Sequence, residues 1–269
     1  MPSQELVNHV ALVTGASSGL GVDFARQLAA RGANLILVAR REDQLRAVAA
    51  EIEKTYAVSA QVMALDLATP DAPQTLYDQL QQQGIHVDVL VNNAGFGIYG
   101  DFATVPWERE KALLDLDIVS LTHMTKLFVQ DMLKRKHGYI LQVASIGAYQ
   151  PSPTYATYSA AKAYVLSMGE AINYELRGSG VSVTVISPGV AATEFLKVAG
   201  QSPNLYQRLM MMDSATVARI GIEHMLRRRP SVVPGFMNSL FAFSTRLVPR
   251  RMQAATAHLF MTRNYKEQN

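Results

Sequence analysis

Short runs of apolar residues alternate along the chain with longer stretches in which apolar residues recur at helical spacing. The first run, residues 10–13, ends in a turn rich in glycine, and a helical pattern follows directly. A strand of a parallel sheet is buried on both faces and shows such a continuous apolar run, whereas a helix packed on the sheet shows one apolar face. The other predicted strands are 35–39, 60–65, 87–91, 139–144, 181–186 and 231–233. The helices predicted after the first one are 42–56, 73–83, 106–133, 155–177 and 213–229.

Because strands and helices alternate throughout, the predicted fold is α/β, with a doubly wound parallel sheet of about seven strands. The crossovers should be right-handed, with helices on both faces. The chain has 269 residues, a length at which α/β sheets are often single units. No repeat or low-complexity linker interrupts the pattern, and 49% apolar residues are enough for one large core. We therefore expect a single domain.

The absence of cysteine excludes disulfides and thiolate metal sites and fits a reducing cytoplasm. Residues 1–9 lack the basic and apolar regions of a signal peptide. No apolar run approaches the length that spans a bilayer. We therefore expect a cytoplasmic protein, and we expect no metal site.

Basic residues are concentrated in the C-terminal tail. Residues 227–269 contain eight Lys and Arg and one acid, a net charge of +7, while the rest of the chain carries −4. Such a cluster is either a solvated face or a surface for phosphate-bearing partners or anionic membranes. Because no aromatic platform is interleaved with these charges, we expect no nucleic-acid partner.

Residues suited to ligand binding follow six of the predicted strands. In open α/β sheets, ligands bind beyond the carboxyl ends of the strands, which lie along one edge. Those ends carry Gly15, Arg40, Asp66, Asn93, Ser145 and the pair Pro188-Gly189. Most of these are also ordinary turn residues, but six ends in succession at one edge predict a binding site.

The turn after the first strand has glycines at 15, 19 and 21, a spacing that differs from the dinucleotide pattern G-x-G-x-x-G. Glycines there let the backbone approach a bound group. The free N–H groups of the next helix favour an anion, most simply a pyrophosphate. The alternative interpretation is an ordinary glycine-rich turn between a strand and a helix.

Tyr158 and Lys162 form a second candidate group, because residues four apart share one face of a helix. A tyrosine has a pKa of about 10, which a neighbouring cation lowers by stabilising the phenolate. Ser145, at the end of the neighbouring strand, can hydrogen-bond a substrate oxygen from the other side. The three residues could donate a proton to a carbonyl oxygen as hydride reaches its carbon. A surface pair on an exposed helix face is the alternative.

In order and spacing, these motifs resemble those of the short-chain dehydrogenase/reductase family, over about residues 8–200. They are Thr14-Gly15-x-x-x-Gly19-x-Gly21, Asp66, Asn92-Asn93-Ala94-Gly95, Ser145, Tyr158-x-x-x-Lys162 and Pro188-Gly189 followed by Thr193. The resemblance implies a Rossmann-type fold and a nicotinamide cofactor. We therefore assign the cofactor and the catalytic site to residues 1–235. An amphipathic, basic extension of residues 236–269 follows, packed on this domain or on a partner.

The resemblance also implies roles for individual residues. Tyr158 would be the proton donor or acceptor, and Lys162 would bind the nicotinamide ribose and lower the pKa of the tyrosine. Asp66 and Leu67 would flank the adenine, and Asn93 would lie near its ribose. Val190 and Thr193 would hold the carboxamide. The expected cofactor-binding residues are Gly15, Ser17, Ser18, Gly19, Leu20, Gly21, Arg40, Arg41, Asp66, Leu67, Asn93, Ala94, Gly95, Tyr158, Lys162, Pro188, Gly189, Val190 and Thr193.

Arg40 bears on which nicotinamide cofactor is used. A site selective for NAD usually has an acid at the end of the second strand, which accepts from the ribose 2′-OH. Here that place holds Arg40, with Arg41 beside it, and a guanidinium matches the charge and geometry of a 2′-phosphate. We therefore expect NADP(H), although a basic approach to the next helix is the alternative.

Asp117 departs from the family pattern. The family usually has an asparagine in the long helix after the fourth strand, whose backbone carbonyl holds a water of the proton relay. Asp117 occupies the matching position. We predict a catalytic role for Asp117 beside Ser145, Tyr158 and Lys162, and a solvated helix aspartate is the alternative.

The C-terminal extension contains apolar residues at helical spacing, among them Phe236, Leu240, Phe243 and Leu247, followed by basic residues. Three interpretations are open: the apolar face packs against another subunit, covers the substrate pocket or lies on a membrane surface. The methionines of residues 202–212 suit an adaptable apolar pocket or a packed turn.

These expectations together predict an NADP(H)-dependent oxidoreductase acting on a lipophilic carbonyl or secondary alcohol. The family resemblance implies a homodimer or homotetramer. The alternative function is a nucleotide-sensing binding protein with little turnover, a reading that only Asp117 encourages.

Overall fold

The computed structural model describes residues 4–189, 199 and 211–262. Seven parallel strands form one sheet in the order β3-β2-β1-β4-β5-β6-β7. They are β1 (Val10–Thr14), β2 (Asn34–Ala39), β3 (Ala60–Ala64), β4 (Val89–Asn92), β5 (Gly138–Val143), β6 (Val181–Ile186) and β7 (Ser231–Val232). The prediction of one doubly wound, seven-stranded α/β domain is confirmed.

Helices cover both faces of the sheet. They are α1 (Leu20–Ala29), α2 (Glu42–Tyr56), α3 (Ala72–Gln82), α4 (Trp107–Leu114), α5 (Leu121–Arg135), α6 (Ala156–Glu175), α7 (Ser214–Leu226), α8 (Phe236–Ser244) and α9 (Arg250–Thr262). A short 3₁₀ helix, Ile146–Tyr149, follows β5. In the part of the chain described, no helix has the length and apolar character needed to cross a membrane.

The core consists of two apolar layers, one on each face of the sheet. Strand β1 contributes to both layers, because alternate side chains point to opposite faces. Ala11 and Val13 pack with residues of α1, α2 and α7, whereas Leu12 packs with residues of α3 and α5. This two-sided burial explains why the strands are continuous apolar runs in the sequence.

The helix predicted at 106–133 is interrupted by a π-helical segment, Asp115–Ser120, between α4 and α5. The wider turn disrupts the helical spacing of side chains, and Asp117 and Ser120 are buried within it. Such π segments occur frequently at functional sites. The sequence pattern predicted one regular helix, because a single inserted residue barely alters apolar spacing over so long a stretch.

Helix α9 was not predicted from the sequence. Its residues carry two arginines in the first turn and no continuous apolar stripe, so the apolar pattern gave little signal. Most of the methionine-containing segment 202–212 lies outside the described residues.

Candidate active site

The glycine-rich turn after β1 brings the backbone of two segments into close contact. Gly15 and Gly19 have φ angles of +67° and +56°, in the left-handed region where other residues are strained. A Cβ atom at Gly21 would overlap the carbonyl oxygen of Gly15. Leu20 is the first residue of α1, so the turn leads directly to the amino end of that helix. The result is a tight, partly buried backbone turn at a helix N-terminus, suited to an anion.

Thr14 joins the ends of β1 and β4. Its hydroxyl oxygen accepts hydrogen bonds from the backbone N–H groups of Asn93 and Ala94, both at 2.9 Å, and donates to the carbonyl of Val91 at 3.2 Å. The Asn93 amide donates to the Thr14 carbonyl at 2.8 Å. The sequence analysis assigned no role to Thr14. A single hydroxyl residue at the end of an apolar strand could have indicated a hydrogen-bonding role there.

Two arginines follow β2, and they make different contacts. Arg41 donates hydrogen bonds to the hydroxyl oxygens of Ser17 at 3.1 Å and Ser18 at 2.7 Å. Arg40 extends toward Asp66, with 3.7 Å between the charged groups, and remains largely exposed. The guanidinium of Arg41 therefore lies on the glycine-rich turn itself, whereas Arg40 lies between the ends of β2 and β3.

Leu67, next to Asp66, is buried and packs with the apolar layer that contains Ile36 and Val38 of β2. The backbone N–H of Ala68 donates to the Asp66 carboxylate at 3.0 Å. Asp66 therefore holds the turn after β3 in shape, and the turn lies beside the end of β2.

Ser145, Tyr158 and Lys162 come together at the ends of β5 and α6. The Lys162 ammonium donates to the carbonyl of Val143 at 3.1 Å and lies 5.7 Å from the centre of the Tyr158 ring. Tyr158 and Ser145 are hydrogen-bonded through their side chains. The Ser145 oxygen also accepts from the backbone N–H of Gly147 at 3.1 Å, which fixes its orientation. The alternative of an exposed surface pair is wrong, because Lys162 is buried.

Asp117 is fully buried, and its carboxylate lies 2.9 Å from the Lys162 ammonium. The alternative of a solvated helix aspartate is therefore wrong. Gly95 makes room for the carboxylate, since a Cβ atom at that position would lie 2.8 Å from Asp117 Oδ1. The π-helical segment thus places a negative charge beside Lys162, and a side chain at position 95 would displace it.

Burial and charge act in opposite directions on the pKa values of this group. Burial raises the pKa of Tyr158, Lys162 and the hydrogen bond with Ser145 lower it, and Asp117 raises it again. Burial lowers the pKa of Lys162, but Asp117 and Tyr158 together outweigh that effect, so the pKa of the ammonium is raised. Burial raises the pKa of Asp117, and Lys162 counteracts it. The close contact favours an ion pair, which offsets part of the lysine charge next to Tyr158.

The turn after β6 packs against the C-terminal extension. The Pro188 carbonyl accepts from the backbone N–H of Ile146 at 2.8 Å, linking this turn to the Ser145 segment. Asn238 of α8 is buried, and its amide nitrogen would lie 2.6 Å from a Cβ atom at Gly189. Sequence reasoning missed Asn238, because a single polar residue within an apolar stretch has no distinctive pattern. The predicted carboxamide contacts, Val190 and Thr193, lie outside the described residues.

The predicted site residues within the described chain therefore lie along the carboxyl edge of the sheet, around the ends of β1 to β6. This is where an α/β sheet of this topology binds its ligand. A model of the short chain dehydrogenase family matches residues 9–204. The chain belongs to this family of oxidoreductases, which use nicotinamide cofactors.

Relatives of known name support the same class. The chain is 34% identical over 220 residues to a very-long-chain 3-oxoacyl-CoA reductase of Phaeosphaeria nodorum; the match covers 78% of this chain and 63% of that protein. It is 31% identical over 185 residues to a 7β-hydroxysteroid dehydrogenase of Collinsella aerofaciens, covering 69% and 70% of the two chains.

A solved structure has the same fold. The short-chain dehydrogenase of Sphingobium yanoikuyae, in complex with NADPH, superposes with a TM-score of 0.78 at 27% identity. The superposition covers 89% of this chain and 94% of that one.

Proposed function

We propose that this protein is an NADP(H)-dependent oxidoreductase that interconverts a lipophilic carbonyl compound and its secondary alcohol. The observation that carries the proposal is the contact of Tyr158 with Ser145 and the buried Lys162 at the cofactor edge of the sheet. A phenol beside a buried ammonium is suited to acid–base catalysis at a carbonyl oxygen.

The residues at the sheet edge fit a dinucleotide. The close packing of Gly15 and Gly21 and the positive φ angle of Gly19 bring the backbone directly to the start of α1, which suits a pyrophosphate at that helix N-terminus. Asp66 and Leu67 would hold the adenine end, and Lys162 the nicotinamide ribose. When bound, NADPH supplies the hydride that reduces the carbonyl carbon.

The catalytic residues supply the proton. The hydroxyls of Ser145 and Tyr158 would bind the substrate oxygen and orient the carbonyl. Tyr158 transfers its proton to that oxygen as negative charge develops there, and the phenolate that remains is stabilised by Lys162. The reverse reaction uses the phenolate as the base.

Arg41 and Arg40 support selectivity for NADP(H) over NAD(H). Arg41 together with Ser17 and Ser18 forms an exposed group of hydrogen-bond donors on the glycine-rich turn. A guanidinium binds a phosphate through two parallel hydrogen bonds. The NADPH complex of the Sphingobium yanoikuyae relative supports the same choice.

The named relatives support a lipophilic substrate. One is named for very-long-chain 3-oxoacyl-CoA and another for a 7β-hydroxysteroid, both with large apolar bodies. The same names, a reductase and a dehydrogenase, do not favour the nucleotide sensor that the sequence left open.

Replacing Tyr158 by phenylalanine tests the mechanism. We expect Tyr158→Phe to lower kcat by about 10²–10⁴-fold, because the proton donor is lost, while the Kd for NADPH stays close to that of the wild type. Turnover is followed by NADPH absorbance with long-chain 3-oxoacyl-CoA, oxo-steroid and small aldehyde substrates, and cofactor binding by fluorescence.

Tyr164→Phe is the matched control, since Tyr164 lies on the same helix and its hydroxyl bonds Thr122 at 2.9 Å, outside the site. It should retain full activity. Unchanged turnover in Tyr158→Phe would refute the mechanism. Tight NADPH binding by the wild type without oxidation of any substrate would favour the sensor.

A further inference from the structure

Helix α8 exposes most of its large apolar side chains instead of burying them. The exposed fraction is 79% for Phe236, 49% for Leu240, 56% for Phe243 and 74% for Leu247, which follows the helix. We call these four residues the apolar stripe. A surface helix of a globular protein normally directs its apolar side inward, so α8 has the reverse orientation.

The opposite side of α8 is the one that packs on the protein. At about 100° per residue, Phe236, Leu240 and Phe243 lie within about 60° of one another around the helix. The buried residues Asn238 and Ala242 lie on the far side. The buried side is therefore already occupied by the contact of Asn238 with the turn at Gly189, and the apolar stripe cannot cover the substrate pocket from this position.

Positive charge lies at the C-terminal end of the apolar stripe. Arg246, Arg250 and Arg251 are exposed and flank Leu247 in the sequence. Arg250 and Arg251 stand in the first turn of α9, where the helix dipole favours an anion. Residues 224–262 contain no acid, so this segment has no carboxylate of its own to pair with the three arginines.

The apolar stripe could be covered by a second copy of the chain or by a phospholipid surface, and this charge distribution favours one of the two. A second copy of the same face would bring three more arginines next to these, against a single carboxylate from each copy, that of Glu170, which lines the same hollow as Arg246 and Arg250. An anionic phospholipid surface would accept the apolar side chains and pair its phosphates with the arginines.

We propose that α8 and the start of α9 bind peripherally to anionic phospholipid surfaces. Phe236, Leu240, Phe243 and Leu247 enter the boundary between headgroups and acyl chains, and the three arginines contact lipid phosphates. The proposal does not depend on the reaction proposed above. If both hold, the enzyme works at the surface in which lipophilic substrates dissolve.

Vesicle sedimentation with the full chain tests this proposal. We expect the protein to sediment with vesicles of phosphatidylcholine and phosphatidylserine, much less with phosphatidylcholine alone, and less as salt rises. The double variant Phe236→Ser/Phe243→Ser should lower vesicle affinity at least about tenfold, since two apolar anchors are lost. The control Phe102→Ser/Trp107→Ser removes two equally exposed aromatic side chains elsewhere and should bind like the wild type.

A second pair of variants tests the charges. Arg250→Gln/Arg251→Gln should weaken binding to the anionic vesicles by about fivefold for each arginine, whereas Lys54→Gln/Lys134→Gln removes the same charge elsewhere without effect. All these side chains are exposed, so the unfolding temperatures should match the wild type. Equal binding to both vesicle types, or unchanged binding of the stripe variant, would overturn the proposal. So would a stripe variant that loses only self-association in sedimentation velocity, which would indicate a second copy.

Discussion

At the scale of single residues, Asp117 adds a buried negative charge to the candidate site. It holds a carboxylate 2.9 Å from the Lys162 ammonium, where the family usually has a neutral asparagine. The carboxylate raises the pKa of Lys162 against the effect of burial, and it also raises the pKa of Tyr158. The lysine therefore keeps its proton, but part of its effect on the tyrosine is offset.

Replacing Asp117 by asparagine should move the pH dependence of catalysis. The variant removes a negative charge that raises the pKa of Tyr158, so that pKa should fall. Reduction needs the protonated phenol, and its kcat/KM should therefore begin to fall at a lower pH than in the wild type. Oxidation needs the phenolate, so the kcat/KM for oxidation should begin to rise at a lower pH than in the wild type.

The measurement is kcat/KM against pH in both directions. Asp115→Asn is the control, because Asp115 lies in the same π-helical segment but pairs with Lys111 away from the site. A profile that stays in place or moves to higher pH in Asp117→Asn would contradict this account of the charge.

Arg41 should contribute more to cofactor choice than Arg40, because it contacts the glycine-rich turn directly. We expect Arg41→Ala to raise the Kd for NADPH by about tenfold or more while changing the Kd for NADH little. Arg40→Ala should have a smaller effect. Fluorescence titration with each cofactor measures both values.

The control for this pair is Arg46→Ala, since Arg46 pairs with Glu42 on the exposed face of α2. Equal losses of NADPH and NADH affinity in Arg41→Ala would contradict a role in binding the 2′-phosphate.

At the scale of elements, the end of β6 and helix α8 are coupled through Gly189 and Asn238. The Asn238 amide donates to the Pro234 carbonyl at 3.0 Å, which holds the side chain against the turn that follows β6. The C-terminal extension is thus packed against the edge of the sheet that carries the site, although no sequence motif links the two.

A double-mutant cycle tests this coupling. Gly189→Ala should lower the free energy of unfolding by about 1–3 kcal/mol, because the added methyl group overlaps a buried side chain that cannot move away. In the Asn238→Ala variant, Gly189→Ala should lower the free energy of unfolding much less, because the truncated side chain leaves room for the added methyl group. Urea unfolding of the four proteins measures the interaction.

Gly147→Ala is the control, because its nearest neighbour, Ser145 Oγ, lies at an ordinary 3.5 Å from the added Cβ atom. It should change stability little. Additive effects of the two substitutions in the cycle would show that the contact does not couple the elements.

At the scale of the whole molecule, the strand order places the site. The sheet runs outward from β1 through β2 to β3 in one direction, and from β4 to β7 in the other. Crossovers therefore leave opposite faces on either side of the β1–β4 boundary, which opens a crevice at the carboxyl ends of those strands. Thr14 and Asn93 hold the two strand ends together at that boundary.

Much of this architecture was predictable from the sequence. The bounds of α2 and β6 agree with the predicted 42–56 and 181–186. Glycine and proline delimit β6, and the helical spacing of Leu45, Ala49 and Ile52 marks α2. The π-helical segment and α9 were not predicted because apolar spacing barely signals them, and the role of Asn238 depends on a contact with Gly189, far away in the chain.

The sequence by itself determined the α/β fold, the edge of the sheet that carries the candidate site and the candidate catalytic residues. Strands that are buried on both faces must be continuous apolar runs, and residues four apart in a helix share one face. Both features can therefore be recognised from a short stretch of sequence. Only the tertiary structure decided that Asp117 pairs with Lys162, that Arg41 lies on the glycine-rich turn and that α8 turns its apolar side outward. Each of these is a matter of distance or orientation between segments, which the spacing of residues along the chain does not encode.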